Sequence, residues 1–197
     1  MCFITRIIQN SYYLESNHNI TQARSKHQNN RSLVTPPFIL GLEFAGVVVS
    51  APGSCEFSTG DRVFGSGQGS FAEVISVKAS NLRKIPARWT FSDAASLRTT
   101  APVSYGALIS RGRLKKGETI LIYAAAGGLG LMAVQIAKAV GARVIATASS
   151  EEKLAVTRSY GANECVNYTS TGDWWKEVLV LTKDVGVDLC FRSSRSC

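Results

Sequence analysis

A strand, a glycine-rich turn and a helix follow one another within residues 118–148, and this segment constrains the fold more than any other. An apolar run ends at Tyr123, small residues and glycines fill 124–130, and apolar residues then recur at helical spacing up to Val140. A second apolar run occupies 143–148. This order predicts a parallel βαβ unit with a right-handed crossover.

The turn itself fits the pattern G-x-G-x-x-A over residues 128–133. We expect Gly128 to permit the tight turn, Gly130 to let the backbone approach a phosphate, and Ala133 to let the helix pack close to the strand. The helix N-terminus offers free N–H groups and a positive dipole end to an anion. The pattern therefore predicts a site for a dinucleotide pyrophosphate. The alternative is a plain βαβ turn without a ligand. The candidate binding residues in the turn are Ala126, Gly127, Gly128, Leu129 and Gly130.

Two kinds of segment surround this unit. After an irregular stretch, 1–35, short β-branched runs bounded by Gly and Pro predict strands at 44–49, 62–64, 71–77 and 82–85. Ser92 is predicted to cap a helix, and another helix is predicted to restart at 103–111 after Pro102. From residue 119 strands and helices alternate, with strands at 119–123, 143–148, 164–168 and 187–191 and helices at 129–140, 151–160 and 173–182.

Composition excludes several classes of function. The net charge of +8 is scattered rather than massed, which argues against nucleic-acid binding. No apolar run approaches the ~18 residues that span a bilayer, so no membrane association is predicted. Five scattered cysteines are typical of reduced thiols and predict a cytoplasmic protein. The basic leader leaves a mitochondrial location as the alternative.

Several ordered motifs resemble the medium-chain dehydrogenase/reductase superfamily, in its quinone oxidoreductase (zeta-crystallin-like) branch. They lie at 37–48, 60–63, 69–73, 111–118 and 124–130. The resemblance implies a partial GroES-like β-domain followed by a partial Rossmann domain, a doubly wound parallel α/β sheet. It implies NADPH-dependent reduction of quinones or α,β-unsaturated carbonyls (enones) by direct hydride transfer, with the cofactor carrying the chemistry. It is also compatible with a homodimer. No catalytic residue is identified.

The position of Leu42 predicts a zinc-independent protein. Zinc alcohol dehydrogenases of the superfamily have Gly-His-Glu where this chain has Gly41-Leu42-Glu43, and leucine cannot bind a metal. The four-cysteine lobe of those enzymes is also missing between Val63 and Phe71. Glu43 is therefore interpreted as a structural hydrogen-bonding carboxylate.

The end of the second Rossmann strand indicates which nicotinamide cofactor binds. NAD sites carry an acid there, whereas this strand ends in Ala148-Ser149-Ser150. Hydroxyls and the cation of Lys153 suit the 2′-phosphate of NADPH. The resemblance places Ser149, Lys153 and Tyr168 near that phosphate. The alternative for Lys153 is a solvated helix residue.

Both ends depart from the family pattern. Residues 1–35 are interpreted as a divergent leader, 36–105 as the β-domain with its connecting helix, 106–191 as the NADPH-binding domain and 192–197 as an aberrant tail. The expectation is a chain truncated at both ends. An impaired or inactive fragment or isoform that binds a nucleotide or a partner chain is therefore the alternative function.

Overall fold

The computed structural model describes residues 2–8, 39–170 and 172–192. The chain divides into two compact units, Met1–Thr99 and Thr100–Cys197. This division falls inside a helix, Leu97–Tyr105, whereas the sequence placed the boundary at the end of that helix.

The first unit is built on an antiparallel five-stranded sheet. Its strands are β1 Cys2–Ile8, β2 Glu43–Ser50, β3 Arg62–Ser66, β4 Val74–Val77 and β5 Leu82–Lys84. They lie in the order β4-β1-β2-β3-β5. Their core includes Ile4, Phe44, Val48 and Val63, all fully buried.

Strand β1 corrects one prediction. The interpretation of residues 1–35 as irregular is wrong for Cys2–Ile8, which pairs with β2 on one side and with β4 on the other. A seven-residue run acquires its strand conformation from these long-range partners, and local pattern carries little of that information. The remainder of the predicted leader lies outside the described residues.

Two short helices follow the sheet. Helix α1, Phe91–Ala95, begins after Thr90, so the predicted cap at Ser92 is wrong. The Thr90 hydroxyl accepts a hydrogen bond from the Asp93 N–H at 3.1 Å, and the Asp93 carboxylate accepts one from the Thr90 N–H at 2.9 Å. This reciprocal pair fixes the helix start two residues earlier than predicted.

Helix α2, Leu97–Tyr105, runs through Pro102 and continues into a π-helical turn, Gly106–Arg111. The predicted restart after Pro102 is therefore wrong. The wider turn closes with a hydrogen bond from the Gly112 N–H to the Ala107 carbonyl at 2.8 Å.

The second unit confirms the predicted parallel α/β fold. Its elements are β6 Thr119–Tyr123, α3 Gly128–Val140, β7 Arg143–Ala148, α4 Glu151–Ser159, β8 Glu164–Asn167, α5 Trp174–Leu181 and β9 Leu189–Arg192. The four described strands lie in the order β8-β7-β6-β9, and every neighbouring pair is parallel.

The two faces of this sheet pack against different helices. On one face Ile120, Ile122 and Val144 pack with Ala133 and other residues of α3. On the opposite face Ile145 and Val166 pack with Val178 of α5. Among the described residues no helix has the length and apolar character to cross a bilayer.

Candidate nucleotide site

All four parallel strands of the second unit end at one edge of the sheet, here called the carboxyl edge. Tyr123, Ala148, Asn167 and Arg192 are the last residues of β6, β7, β8 and β9. In open parallel sheets this edge is where ligands bind. The glycine-rich turn leaves β6 at the same edge and enters α3.

The turn adopts a different backbone from the one expected. Its positive φ falls on Ala124, at 52°, whereas Gly127 has φ −77° and is the N-cap of α3. Gly128 is the first helical residue. The expectation that Gly128 supplies the conformational freedom of the turn is therefore wrong, because an alanine occupies the left-handed position.

Gly130 is buried in the first turn of α3. A Cβ at this position would lie 2.6 Å from the Cα and carbonyl oxygen of Ala125. Glycine is required here because the helix lies directly against the strand-to-turn backbone. Close packing against Ala125, rather than access for a phosphate, therefore explains why residue 130 is a glycine. A contact between Gly130 and a phosphate stays a prediction.

Gly127 and Gly128 are exposed at the start of α3. A Cβ at Gly128 would meet only the Thr100 methyl, at 3.5 Å, and one at Gly127 only the Ala124 carbonyl, at 3.6 Å. Gly127 provides no side-chain cap for the helix. Exposed glycines before an uncapped helix N-terminus form a cradle that suits a pyrophosphate.

Ser149 and Lys153 come together beside the end of β7. The Lys153 ammonium donates a hydrogen bond to the Ser149 hydroxyl at 3.0 Å. The Ser150 hydroxyl caps α4 by accepting from the Lys153 N–H at 3.4 Å. A hydrogen bond with the same Ser150 hydroxyl is the main cause of the lowered pKa of Glu152, whose carboxylate lies near this pair. Hydroxyl and ammonium donors are thus grouped where an NAD site carries an acid.

Tyr168, the third predicted contact, lies one residue beyond β8 and stacks on Tyr123, a residue that the sequence analysis did not select. Their ring centroids are 5.0 Å apart with an interplanar angle of 17°. The centroid of the Trp174 ring lies 5.8 Å from that of Tyr123, and Trp174 packs against the buried residues of this face. The three rings form one aromatic cluster, here called the aromatic stack, on the face of the sheet that α5 covers.

Arg192 is a second residue that sequence reasoning missed. It was assigned to an aberrant tail, yet it is the last residue of β9 and pairs with Tyr123. Its guanidinium carbon lies 5.2 Å from the Tyr123 ring centroid. Residues 193–197 of that predicted tail lie outside the described residues. The preceding run Leu189–Phe191 was the signal that a strand continues to this point.

Thr147 carries a buried polar atom without a partner. The residue is fully buried near the end of β7, and its hydroxyl makes no hydrogen bond within the described part of the chain. Its carbonyl accepts from the Ala125 N–H at 2.8 Å, which joins β7 to the glycine-rich turn. The backbone of Thr147, and not its buried hydroxyl, therefore contacts the glycine-rich turn.

Glu43 has the structural role that the sequence predicted. Its carboxylate accepts a hydrogen bond from the Thr99 N–H, in the first turn of α2, at 3.0 Å. Its carbonyl accepts one from the Ser70 hydroxyl at 3.1 Å. The carboxylate thus provides an acceptor for an N–H group in the first turn of α2.

A zinc site does not fit the described residues. They contain no group of three or more His, Cys, Asp or Glu side chains arranged to hold a metal ion. Leu42, at the position of the expected histidine ligand, is 59% exposed. Zinc independence stays a prediction for the chain as a whole.

An antiparallel GroES-like unit and a parallel α/β unit with a glycine-rich turn define a Rossmann-type reductase fold. Two family models match accordingly: the alcohol dehydrogenase GroES-like domain over residues 15–87 and the zinc-binding dehydrogenase over 128–196. The chain belongs to the medium-chain dehydrogenase/reductase superfamily, and quinone oxidoreductases are among its relatives.

Individual proteins of known sequence or structure are also similar to this chain. The chain is 38% identical to the reducing polyketide synthase FUB1 of Gibberella fujikuroi over 157 residues, which are 78% of the chain and 6% of that protein. It is 34% identical to the quinone oxidoreductase of Pongo abelii over 151 residues, 75% of the chain and 45% of that protein. The crystal structure of Escherichia coli quinone oxidoreductase complexed with NADPH matches with a TM-score of 0.75 and 26% identity, covering 93% of this chain and 54% of the other. Solved enoyl reductases also match, with TM-scores of 0.76 and 0.78. The chain thus spans about half the length of the single-function relatives and a small part of the synthase.

Proposed function

We propose that this chain binds NADPH at the carboxyl edge of its second unit. The main supporting observation is the hydrogen bond between Lys153 and Ser149 beyond the end of β7, whose last residue is Ala148 rather than an acid. The 2′-phosphate of NADPH would accept hydrogen bonds from both side chains, and the ammonium would neutralise part of its charge. The pyrophosphate would occupy the cradle at Gly127 and Gly128. The solved E. coli relative with bound NADPH supports this choice of cofactor.

We propose further that the activity is reduction of a quinone or of an α,β-unsaturated carbonyl. The quinone oxidoreductase and enoyl reductase relatives support these two acceptor classes. A bound nicotinamide supplies the hydride, and the residues of this chain bind and orient the phosphate and adenosine half of the cofactor. Metal-free catalysis, cytoplasmic location and a homodimer stay predictions.

A nucleotide-binding chain with impaired or absent turnover is the second candidate. One observation favours it: every candidate residue of the site is proposed to contact the adenosine or the phosphates of the cofactor, and none the nicotinamide. Positioning of the reacting groups is worth roughly 7–11 kcal/mol of the barrier, so binding without such positioning gives little reaction.

Titration of the chain with NADPH and with NADH, followed by quenching of tryptophan fluorescence, tests the cofactor. We expect NADPH to bind about 10-fold to 100-fold more tightly, because a charge-assisted hydrogen bond contributes about 1.5–3 kcal/mol. Lys153→Gln should remove most of that preference while changing NADH binding little. Lys138→Gln, a lysine of α3 outside the predicted contacts, is the matched control. Equal affinity of the unmodified chain for the two cofactors would overturn the NADPH assignment.

Consumption of NADPH with an ortho-quinone or an enone as acceptor tests the activity. Turnover with either acceptor supports the reductase. Binding of NADPH without turnover would support the second candidate instead.

A further inference from the structure

The loop after β8 holds the backbone beyond the end of β7. The last backbone pair of the two strands joins Ala148 and Asn167, and the Tyr168 N–H then donates to the Ala148 carbonyl at 3.1 Å. One residue further along, the Thr169 hydroxyl donates to the Ser149 carbonyl at 3.0 Å. A side chain of this loop thus continues the strand pairing by one residue and restrains Ser149 from a position 20 residues away in the chain.

Asn167 fixes the position of Thr169. Its side-chain oxygen accepts a hydrogen bond from the Thr169 N–H at 2.9 Å, which closes a turn that asparagine commonly forms with the residue two places on. The Thr169 hydroxyl also lies 2.7 Å from this oxygen, so its single proton is shared between the Asn167 side chain and the Ser149 carbonyl. The turn therefore places an exposed hydroxyl where it reaches Ser149.

Ser149 connects this turn to the cation of the candidate site. Its carbonyl accepts from the Thr169 hydroxyl, and its own hydroxyl accepts from the Lys153 ammonium at 3.0 Å. Lys153 is exposed, and its ammonium is carried on a flexible four-carbon stem. The hydrogen bond to Ser149 therefore restricts where the ammonium lies, and a contact that fixes Ser149 also fixes the direction of this pair of donors.

We propose that Thr169 is a positioning residue for the choice of cofactor: it holds Ser149 so that the Ser149 hydroxyl and the Lys153 ammonium are directed together at the 2′-phosphate of NADPH. The inference rests on the proposed NADPH site and adds a residue that acts through Ser149 rather than on the nucleotide. NADH carries a hydroxyl in place of that phosphate and gains little from the alignment of the pair. Loss of the Thr169 hydroxyl is therefore expected to lower the affinity for NADPH and to leave the affinity for NADH unchanged.

Titrations of Thr169→Val with NADPH and with NADH, followed by tryptophan fluorescence, test this role. The change removes the hydroxyl and keeps the branched shape of the side chain, and we expect NADPH to bind about threefold to tenfold more weakly, since one neutral hydrogen bond is lost. Thr169→Ser restores a hydroxyl at the same place and should bind NADPH as the unmodified chain does. Ser170→Ala is the matched control, because the Ser170 hydroxyl donates to the Asn167 carbonyl at 2.8 Å rather than to Ser149. We expect it to leave both affinities unchanged.

A second experiment separates positioning from direct contact with the nucleotide. In the double variant Ser149→Ala/Lys153→Gln both donors are absent, so adding Thr169→Val should not weaken NADPH further. A further loss of the same size in this background would overturn the positioning role, because Thr169 would then act without the pair.

The remaining outcomes distinguish the role of Thr169 from the proposed function. If the unmodified chain prefers NADPH and Lys153→Gln loses that preference while Thr169→Val keeps it, the role of Thr169 is overturned and the proposed function stands. Equal weakening of NADPH and NADH by Thr169→Val would also overturn that role. If the unmodified chain binds the two cofactors equally, both are overturned. Urea unfolding checks that each variant folds, and Thr169→Ala replaces Thr169→Val, with the same expected results, if the valine variant does not fold.

Discussion

Gly130 lies so close to Ala125 that a methyl group at residue 130 would be 2.6 Å from the Ala125 backbone. Because residue 130 has no side chain, helix α3 can pack directly against the backbone of the turn that precedes it. This contact sets the direction of the helix N-terminus at the carboxyl edge.

Gly130→Ala should destabilise the chain by about 2 kcal/mol, because backbone atoms cannot move aside as a flexible side chain does. Urea unfolding followed by circular dichroism measures this change. The matched control is Gly128→Ala, where the added Cβ meets only the Thr100 methyl at 3.5 Å. We expect it to leave stability unchanged or raise it by about 0.5 kcal/mol. A similar stability loss in both variants would contradict the packing role of Gly130.

Thr147→Val should raise the free energy of unfolding by about 1 kcal/mol in the absence of nucleotide. The change removes a buried hydroxyl that has no hydrogen bond within the described residues, and it keeps the shape of the side chain. Chemical unfolding measures the gain. Thr157→Val is the control, since the buried Thr157 hydroxyl donates to the Leu154 carbonyl at 2.8 Å and its loss should destabilise. A loss of stability in Thr147→Val would show that its hydroxyl has a partner.

Glu43→Ala should destabilise the first unit by about 1 kcal/mol, because the Thr99 N–H in the first turn of α2 loses its acceptor. Glu43→Gln retains an oxygen acceptor and should recover part of the loss. Thermal unfolding compares both with Glu73→Ala, an exposed acid of the same unit. If Glu43→Ala and Glu73→Ala unfold at the same temperature, the Glu43 carboxylate has no structural role.

The stabilising effect of Asp93 should disappear in acid. Hydrogen bonds with the Thr90 hydroxyl and N–H lower the pKa of Asp93 below its usual 3.8 in the folded chain. Since the unfolded chain then binds this proton more tightly, the contribution is present above about pH 4 and is lost as the pH falls through the lower folded pKa. The difference in urea midpoint between the unmodified chain and Asp93→Asn should therefore be largest near neutral pH and shrink below pH 4. A difference that does not depend on pH would contradict this.

The sequence predicted the second unit in nearly every element, because its apolar runs and helical spacing are local signals. Bounds such as Thr119–Tyr123 and Arg143–Ala148 match the predicted runs. The N-cap of α1 was misplaced because Thr90 and Ser92 are both good caps, and only the reciprocal bond with Asp93 distinguishes them. Strand β1 was missed because its partners, β2 and β4, are distant in sequence.

The candidate site was predicted in its composition but only partly in its geometry. Lys153 and Ser149 meet as expected because a strand end and the following helix turn are adjacent in the chain. Tyr123 and Arg192 were not recognised, since their proximity depends on the pairing of the first and last strands of the sheet. The glycine pattern likewise did not reveal that Ala124 takes the positive φ.

The position of β9 beside β6 also has a consequence for the order of folding. The contact from the Thr119 N–H to the Asp188 carboxylate, at 2.7 Å, joins residues 69 positions apart, whereas β6, β7 and β8 pair through much shorter connections. Closing the longest loop has the largest entropic cost, so β9 is expected to dock after the other three strands have formed their sheet. An intermediate that lacks β9 would already contain the glycine-rich turn and Lys153, and Arg192 would join them only in the last step.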